Sequence, residues 1–231
     1  MPSLRLVVTC AASFVAVLAS TAVPASAQGR PVDEGTFVVT RPGAPQETES
    51  FKIWRLEGGA LLATGSLTSG QERIASSLRT DSLGTPLMYT VTVREKGADR
   101  TKITAETRGG RLQSHTLDQR GDESMREYPV SQGNSLVLED DLVHQLFFAA
   151  LAKRTGSVQV INPRAATGGR ATMSALGLEP IDVGGHSVTA AHYSLIASSG
   201  RRDFWVDSAG RLLRVEAPSQ GLKAVREELP R

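Results

Sequence analysis

Turn signals recur along the chain at short intervals. Gly-Gly pairs stand at 58–59, 109–110, 168–169 and 184–185, and Asp207-Ser208-Ala209-Gly210 adds a fifth turn of the same kind. Glycine supplies the positive φ that tight hairpins need. Between the turns lie strand-length segments. Leu87 to Arg94 alternates cleanly, with Leu87, Tyr89, Val91 and Val93 on one face and Met88, Thr90, Thr92 and Arg94 on the other. A period of two is the mark of a half-buried strand. Phe37–Thr40, Phe51–Leu56, Ala60–Leu67, Glu72–Arg79, Arg100–Thr107, Arg111–Leu117 and Ser124–Val130 read the same way in the first half. Val158–Ile161, Arg170–Leu176, Ser187–Ala197, Asp203–Val206, Arg211–Glu216 and Leu222–Glu227 continue it in the second. Strand segments at roughly 8–12-residue spacing with such turns predict an antiparallel meander, sandwich or barrel. None of the glycine pairs fits G-x-x-x-x-G-K-[ST] or G-x-G-x-x-G, so hairpins, not phosphate loops, are expected.

One segment breaks the rhythm. Glu139-Asp140-Asp141 precedes the apolar run Leu142–Leu151, and Lys153-Arg154 and Gly156 follow it. Acidic residues at the start, basic ones at the end and a glycine beyond predict a helix over Asp141–Arg154. A helix apolar nearly all round is buried on more than one side. The expected fold is therefore mostly β: a strongly curved antiparallel sheet or barrel, built as a meander, with one main helix packed in or across it.

The first residues form a targeting signal. Arg5 gives the positive start, Leu6 to Val23 the apolar stretch, and Ala25-Ser26-Ala27 the cleavage site. Residues 1–27 are thus expected to be a signal peptide and residues 28–231 a single β domain. The sole cysteine, Cys10, lies inside that signal, preceded by Thr9 and followed by most of the apolar stretch, which does not suit a lipid anchor. The expected mature chain has no thiol, which excludes disulfides, zinc-cysteine sites and thiol nucleophiles. Its expected place is periplasmic or secreted, with no transmembrane anchor after cleavage. Lys and Arg number 26 and Asp and Glu 24, so losing Arg5 leaves a net charge of +1. That balance argues against nucleic acid as a partner, which calls for a basic patch.

No catalytic or metal motif is present. Of the four histidines, His186 and His192 would face the same way on a strand but about 20 Å apart, too far for one metal ion. His144 stands four residues after Asp140, at helical ion-pair spacing, and reads as a local pair or a satisfied core histidine. There is no H-E-x-x-H, G-x-S-x-G or S-x-x-K. Asp81 and Asp207 only loosely resemble a D-[ST]-G loop and read as turn residues. Asp140-Asp141 lacks the alternating spacing of a calcium loop. No cofactor is expected, and the chain is not expected to be an enzyme, although a serine–histidine–acid set assembled from distant positions stays open.

Aromatic residues are few, so their placement carries weight. Trp54, Tyr89, Phe147, Phe148 and Trp205 lie in expected strands or in the helix. They are core residues or the lining of an apolar pocket, and they are the candidate ligand-binding set.

Two stretches carry a resemblance. Val137-Leu138-Glu139-Asp140-Asp141-Leu142-Val143-His144-Gln145, running into Leu146-Phe147-Phe148-Ala149, is one, and Phe204-Trp205-Val206-Asp207-Ser208-Ala209-Gly210-Arg211-Leu212-Leu213-Arg214-Val215-Glu216 is the other. Together they resemble a group of exported bacterial β-proteins of no assigned activity, with a strand meander, one helix and a closing W-V-D-x-x-G-R-L-L-R-V hairpin. That group is similar in architecture to the LolA and LolB half-barrel carriers. That likeness is one of fold alone; the very apolar helix set within strand-rich sequence is what makes the expected function an exported binding protein that holds an apolar ligand, a lipid or acyl chain, in a curved-sheet cavity with the helix as its lid or plug. The alternatives are a non-catalytic envelope module that binds another protein and an envelope hydrolase.

Overall fold

Alternating burial along successive segments builds one fifteen-stranded sheet in the computed structural model, which describes residues 29–151 and 155–230. The expected signal peptide, residues 1–27, lies outside the described residues, as do residues 152–154 at the expected end of the helix. The first meander comprises β1 (Arg30–Thr40), β2 (Glu47–Arg55), β3 (Leu61–Ser69), β4 (Glu72–Thr80), β5 (Pro86–Glu95), β6 (Ala98–Arg108), β7 (Arg111–Asp118) and β8 (Glu123–Pro129). After a short strand, β9 (Ser135–Val137), comes the second: β10 (Gly156–Asn162), β11 (Thr167–Val183), β12 (His186–Ala197), β13 (Gly200–Val206), β14 (Leu212–Ala217) and β15 (Leu222–Arg226). β15 pairs with β1 and joins the two meanders, so the order runs β8 to β1 and then β15 to β9. Every pair is antiparallel except β9 with β10.

The sheet curls around its core without closing. Its edges are β8 and β9, which follow one another in the chain. Side chains bridge the seam: a Cβ built on Gly168 of β11 would lie 2.9 Å from Cδ1 of Tyr128 of β8. Inside the curl, Phe37, Ile53, Leu61, Leu78, Tyr89, Ile103, Leu112 and Phe204 belong to one buried cluster. A smaller cluster of Ile181, Val183, Ala190, Trp205 and Leu213 forms apart from it. It arises because a bulge at Ala175–Gly177 offsets the register of the long β11–β12 hairpin.

The expected helix is present but begins later. Residues 139–142 are extended or bent, a 3-10 turn spans Val143–Leu146, and an α-helical turn, α1, spans Phe147–Leu151. Val143 through Ala150 are all buried in the main cluster or beside it. The acidic triplet therefore does not start the helix; arginines from elsewhere hold it, as described below. A second expectation is also corrected. Gly168-Gly169 is not a hairpin turn but part of β11, and the chain reverses at residues 163–166. The missing side chain at 168 is what admits the Tyr128 ring. Among the described residues no helix is long and apolar enough to cross a membrane.

Candidate functional site

The plug, residues 138–151, is fastened to the sheet by buried polar contacts. Glu49 points inward from β2 and its side chain has no exposed surface. It accepts the main-chain N–H groups of Val143 and His144 at 2.8 and 3.0 Å. It also accepts Nδ1 of His144. A fully buried carboxylate is tolerable only with such donors. His144 thus pairs with Glu49 and not with Asp140, and its ring lies in the space left by Gly65 of β3.

The acidic triplet is held by arginines from three directions. Tyr89 donates to Oε1 of Glu139 at 2.9 Å, and Arg164 donates to both Glu139 oxygens at 3.3 Å. Arg202 donates to the Glu139 carbonyl at 3.0 Å and to Asp140. Arg41 donates to Asp141 at 2.9 Å, and Arg164 reaches the same carboxylate. Burial pushes the Glu139 carboxyl above the usual carboxylate range, with Arg164 and the Tyr89 hydroxyl pulling the other way. Burial first, and then the Glu139 charge, hold the Tyr89 phenol well above its ordinary value, so it stays a donor.

The arrangement also tests for catalysis. An acid on Nδ1 of a histidine is the first half of a hydrolytic triad. Ser76 sits opposite Gly65 in the β3–β4 pair, and both its Oγ and Nε2 of His144 are buried without a partner. The Glu49 and His144 side chains, however, have no exposed surface. The dyad ties the plug to the sheet. Among the described residues, no group of three or more His, Cys, Asp or Glu is placed to hold a metal ion.

The five aromatic candidates do not converge. Tyr89, Phe147 and Phe148 are buried in the main cluster, with the two phenylalanines edge to face at 5.6 Å. The space beside Phe148, between α1 and the sheet, measures about 10 Å³. Trp205 belongs to the second cluster, sandwiched between His192 at 4.3 Å and the Arg214 guanidinium at 4.7 Å. Trp54 is half-buried at an alternate position of β2, on the face opposite Phe51 and Ile53.

A much larger concavity, about 960 Å³, opens on that outer face over β1 to β4. The register lays small hydroxyl residues across its floor. Thr36, Ser50, Ser66 and Ala75 form one cross-strand row, and Glu34, Lys52 and Thr64 the next. Glu227 to Pro230, beyond β15, and Arg211 form the opposite wall. Its charges come in both signs: Lys52 pairs with Glu34 at 3.0 Å, Arg73 reaches Oγ of Ser66 at 2.8 Å, and Glu227 and Glu228 lie across from them. Hydroxyl groups and charges of both signs line the groove beside apolar side chains such as Val32 and Leu229. Sequence reasoning missed it, since its walls come from opposite ends of the described chain. It missed Glu49 too, which is 95 residues from His144.

No curated protein matches the chain. The crystal structure of a beta-barrel-like protein of Domain of Unknown Function DUF1849 from Brucella abortus is similar over 86% of this chain and 96% of that one, with a TM-score of 0.56 and 8% identity. At that identity the likeness shows the fold alone. A DUF1089 family protein from Pseudomonas aeruginosa overlaps 74% of this chain and 90% of its own, with a TM-score of 0.40 and 13% identity. One family model, Domain of unknown function (DUF6134), matches residues 87–229, from β5 through the wall of the groove, and the chain belongs to that family.

Proposed function

We propose that the protein is an exported, non-catalytic recognition module of the cell envelope that takes a polar partner in the groove on the outer face of its sheet. The contrast between two spaces carries this reading: about 960 Å³ of open, hydroxyl-floored groove outside, against about 10 Å³ beside Phe148 inside. A space of that size holds about one water at most. A lipid or acyl chain carried in the manner of the LolA and LolB half-barrels would have to displace Phe147 and Phe148, which are 4% and 2% exposed. Hydrolysis would need an accessible nucleophile beside the Glu49–His144 pair, which is sealed. Export rests on the charged, apolar and small-residue pattern of residues 1–27.

The test is amide NMR of the isotopically labelled protein against a random peptide pool, a soluble neutral oligosaccharide and a fatty acid. A polar probe is expected to shift Ser50, Thr64, Ser66 and Arg73 and to leave Phe147 and Phe148 in place. A fatty acid that moved the two phenylalanines and spared the groove would return the protein to the carriers.

A further inference from the structure

β1 leaves one stretch of its edge without a strand partner, and that stretch borders the groove. β15 pairs with β1 only from Phe37 to Thr40, and one further bond, from Glu227 N to Thr36 O at 2.9 Å, extends the contact. Beyond that point the chain turns away, and Leu229 packs on the second cluster. Arg30 to Gly35 therefore pairs on the β2 side alone. The direction of its main-chain groups is fixed by two contacts. The Thr36 carbonyl accepts from Glu227 and the Glu34 carbonyl accepts from the Arg226 guanidinium, so residues 34 and 36 point their N–H and C=O groups away from β2. Arg226 closes the apex of the split through its buried bonds to Asp33 at 2.8 and 3.0 Å. An open strand edge is a template for another extended chain.

We propose that the partner of the groove is an extended peptide, which adds along the side of β1 that has no strand partner at Arg30–Gly35, accepting the outward Glu34 N–H while Arg226 keeps the Glu34 carbonyl, and lays its side chains against Lys52 and Arg73 on one flank and Glu227 and Glu228 on the other. Main-chain pairing supplies affinity in this mode and alternate side chains supply specificity. The two signs of charge on the walls select a peptide that carries both an acidic and a basic residue. This rests on the groove being the binding site.

The experiment selects peptides about eight residues long, the length of a strand, from a displayed random library. Hydrogen exchange is then followed at the Glu34 amide with and without the selected peptide. Slowed exchange at Glu34 is expected, together with about tenfold or greater weakening when alternate peptide nitrogens are methylated. Glu34→Pro, which removes the outward donor at a position where edge strands accept proline, is expected to abolish binding. The methylated peptide against the wild-type chain gives the same answer if that variant does not fold. A selected peptide that tolerates methylation within about twofold and leaves Glu34 exchange unchanged lies on the face of the sheet and overturns strand addition. A library that yields nothing, while the oligosaccharide shifts Ser50 and Ser66, overturns the peptide and spares the groove. Silence from every probe overturns both.

Discussion

The ring of His144 fills the space that a side chain at residue 65 would take, with its Nε2 2.8 Å from the Cβ position of Gly65. The ring cannot swing away cheaply, because Glu49 holds both its Nδ1 and its main-chain N–H. Gly65→Ala is thus an overpacking change at a fully packed site, where inserted carbons cost about 1–3 kcal/mol. Urea midpoints are expected to fall, with unfolding free energies lower by that amount. An unchanged midpoint would mean that the plug can shift as a body.

Glu49 is the sole carboxylate acceptor for three donors of the plug. Glu49→Leu keeps the volume roughly and strips all three of their partner. Removing one member of a buried polar pair costs about 3–5 kcal/mol. Glu49→Gln, which keeps one acceptor oxygen, is expected to lose less. Denaturant unfolding of the two variants checks the order, and a leucine variant as stable as the wild type would show that the plug is held by packing alone.

The buried Glu139 makes stability depend on pH in a direction opposite to the usual carboxylate. Its folded-state pKa is raised by burial. The folded chain therefore binds the proton more readily than the unfolded one, and stability falls as pH rises from the ordinary carboxylate value through the raised one. Glu139→Gln keeps an acceptor for Tyr89 and removes the titration. The stability of wild type relative to this variant is expected to decline as pH rises above about 4, the ordinary carboxylate value, read from denaturation midpoints at each pH. A flat difference there would place the charge of Glu139 in full compensation by Arg164.

Most strands were legible because period-two alternation is a local property, and the hairpins at 109–110, 184–185 and 207–210 follow from local backbone chemistry. Where reading failed, a distant residue decided the outcome. Gly168-Gly169 has the composition of a turn but sits in β11, with Tyr128 lying over it from forty positions earlier. Asp140 and Asp141 have the composition of a helix start, yet Arg202 and Arg41 claim them across 62 and 100 residues. Glu49 reads as one more polar residue in Thr48-Glu49-Ser50 until the fold brings His144 onto it. The groove has no local signature, since it exists only where β1 and the chain beyond β15 part.

The two tryptophans should answer differently to removal, although both are flanked by apolar residues in the sequence. Trp205 is 4% exposed and stacked between His192 and Arg214. Trp205→Ala is expected to cost about 3–5 kcal/mol, as large-to-small aromatic changes do in cores. Trp54 is half-buried on the outer face. Its loss should remain below about 2 kcal/mol, less than a full aromatic burial. Acrylamide should quench the fluorescence left in Trp205→Phe, which reports Trp54, more strongly than that left in Trp54→Phe. Equal quenching would show that the second cluster opens in solution.

At the seam between β8 and β11 the Tyr128 ring rests on Gly168, a contact that is testable in isolation. Tyr128 is 6% exposed although β8 is an edge strand whose other residues are exposed. A methyl group at residue 168 would meet its ring at 2.9 Å, closer than carbon atoms pack. Gly168→Ala should therefore turn the tyrosine outward. The edge then loses its only deeply buried anchor, and about 1–3 kcal/mol with it. Hydrogen exchange should quicken along β8 and stay unchanged in β2 and β3, because the plug is fixed there independently through Glu49. Exchange that quickened equally across the sheet would mean that the seam and the plug unfold as one unit, and the curled sheet would owe its curvature to Tyr128 as much as to the residues inside it.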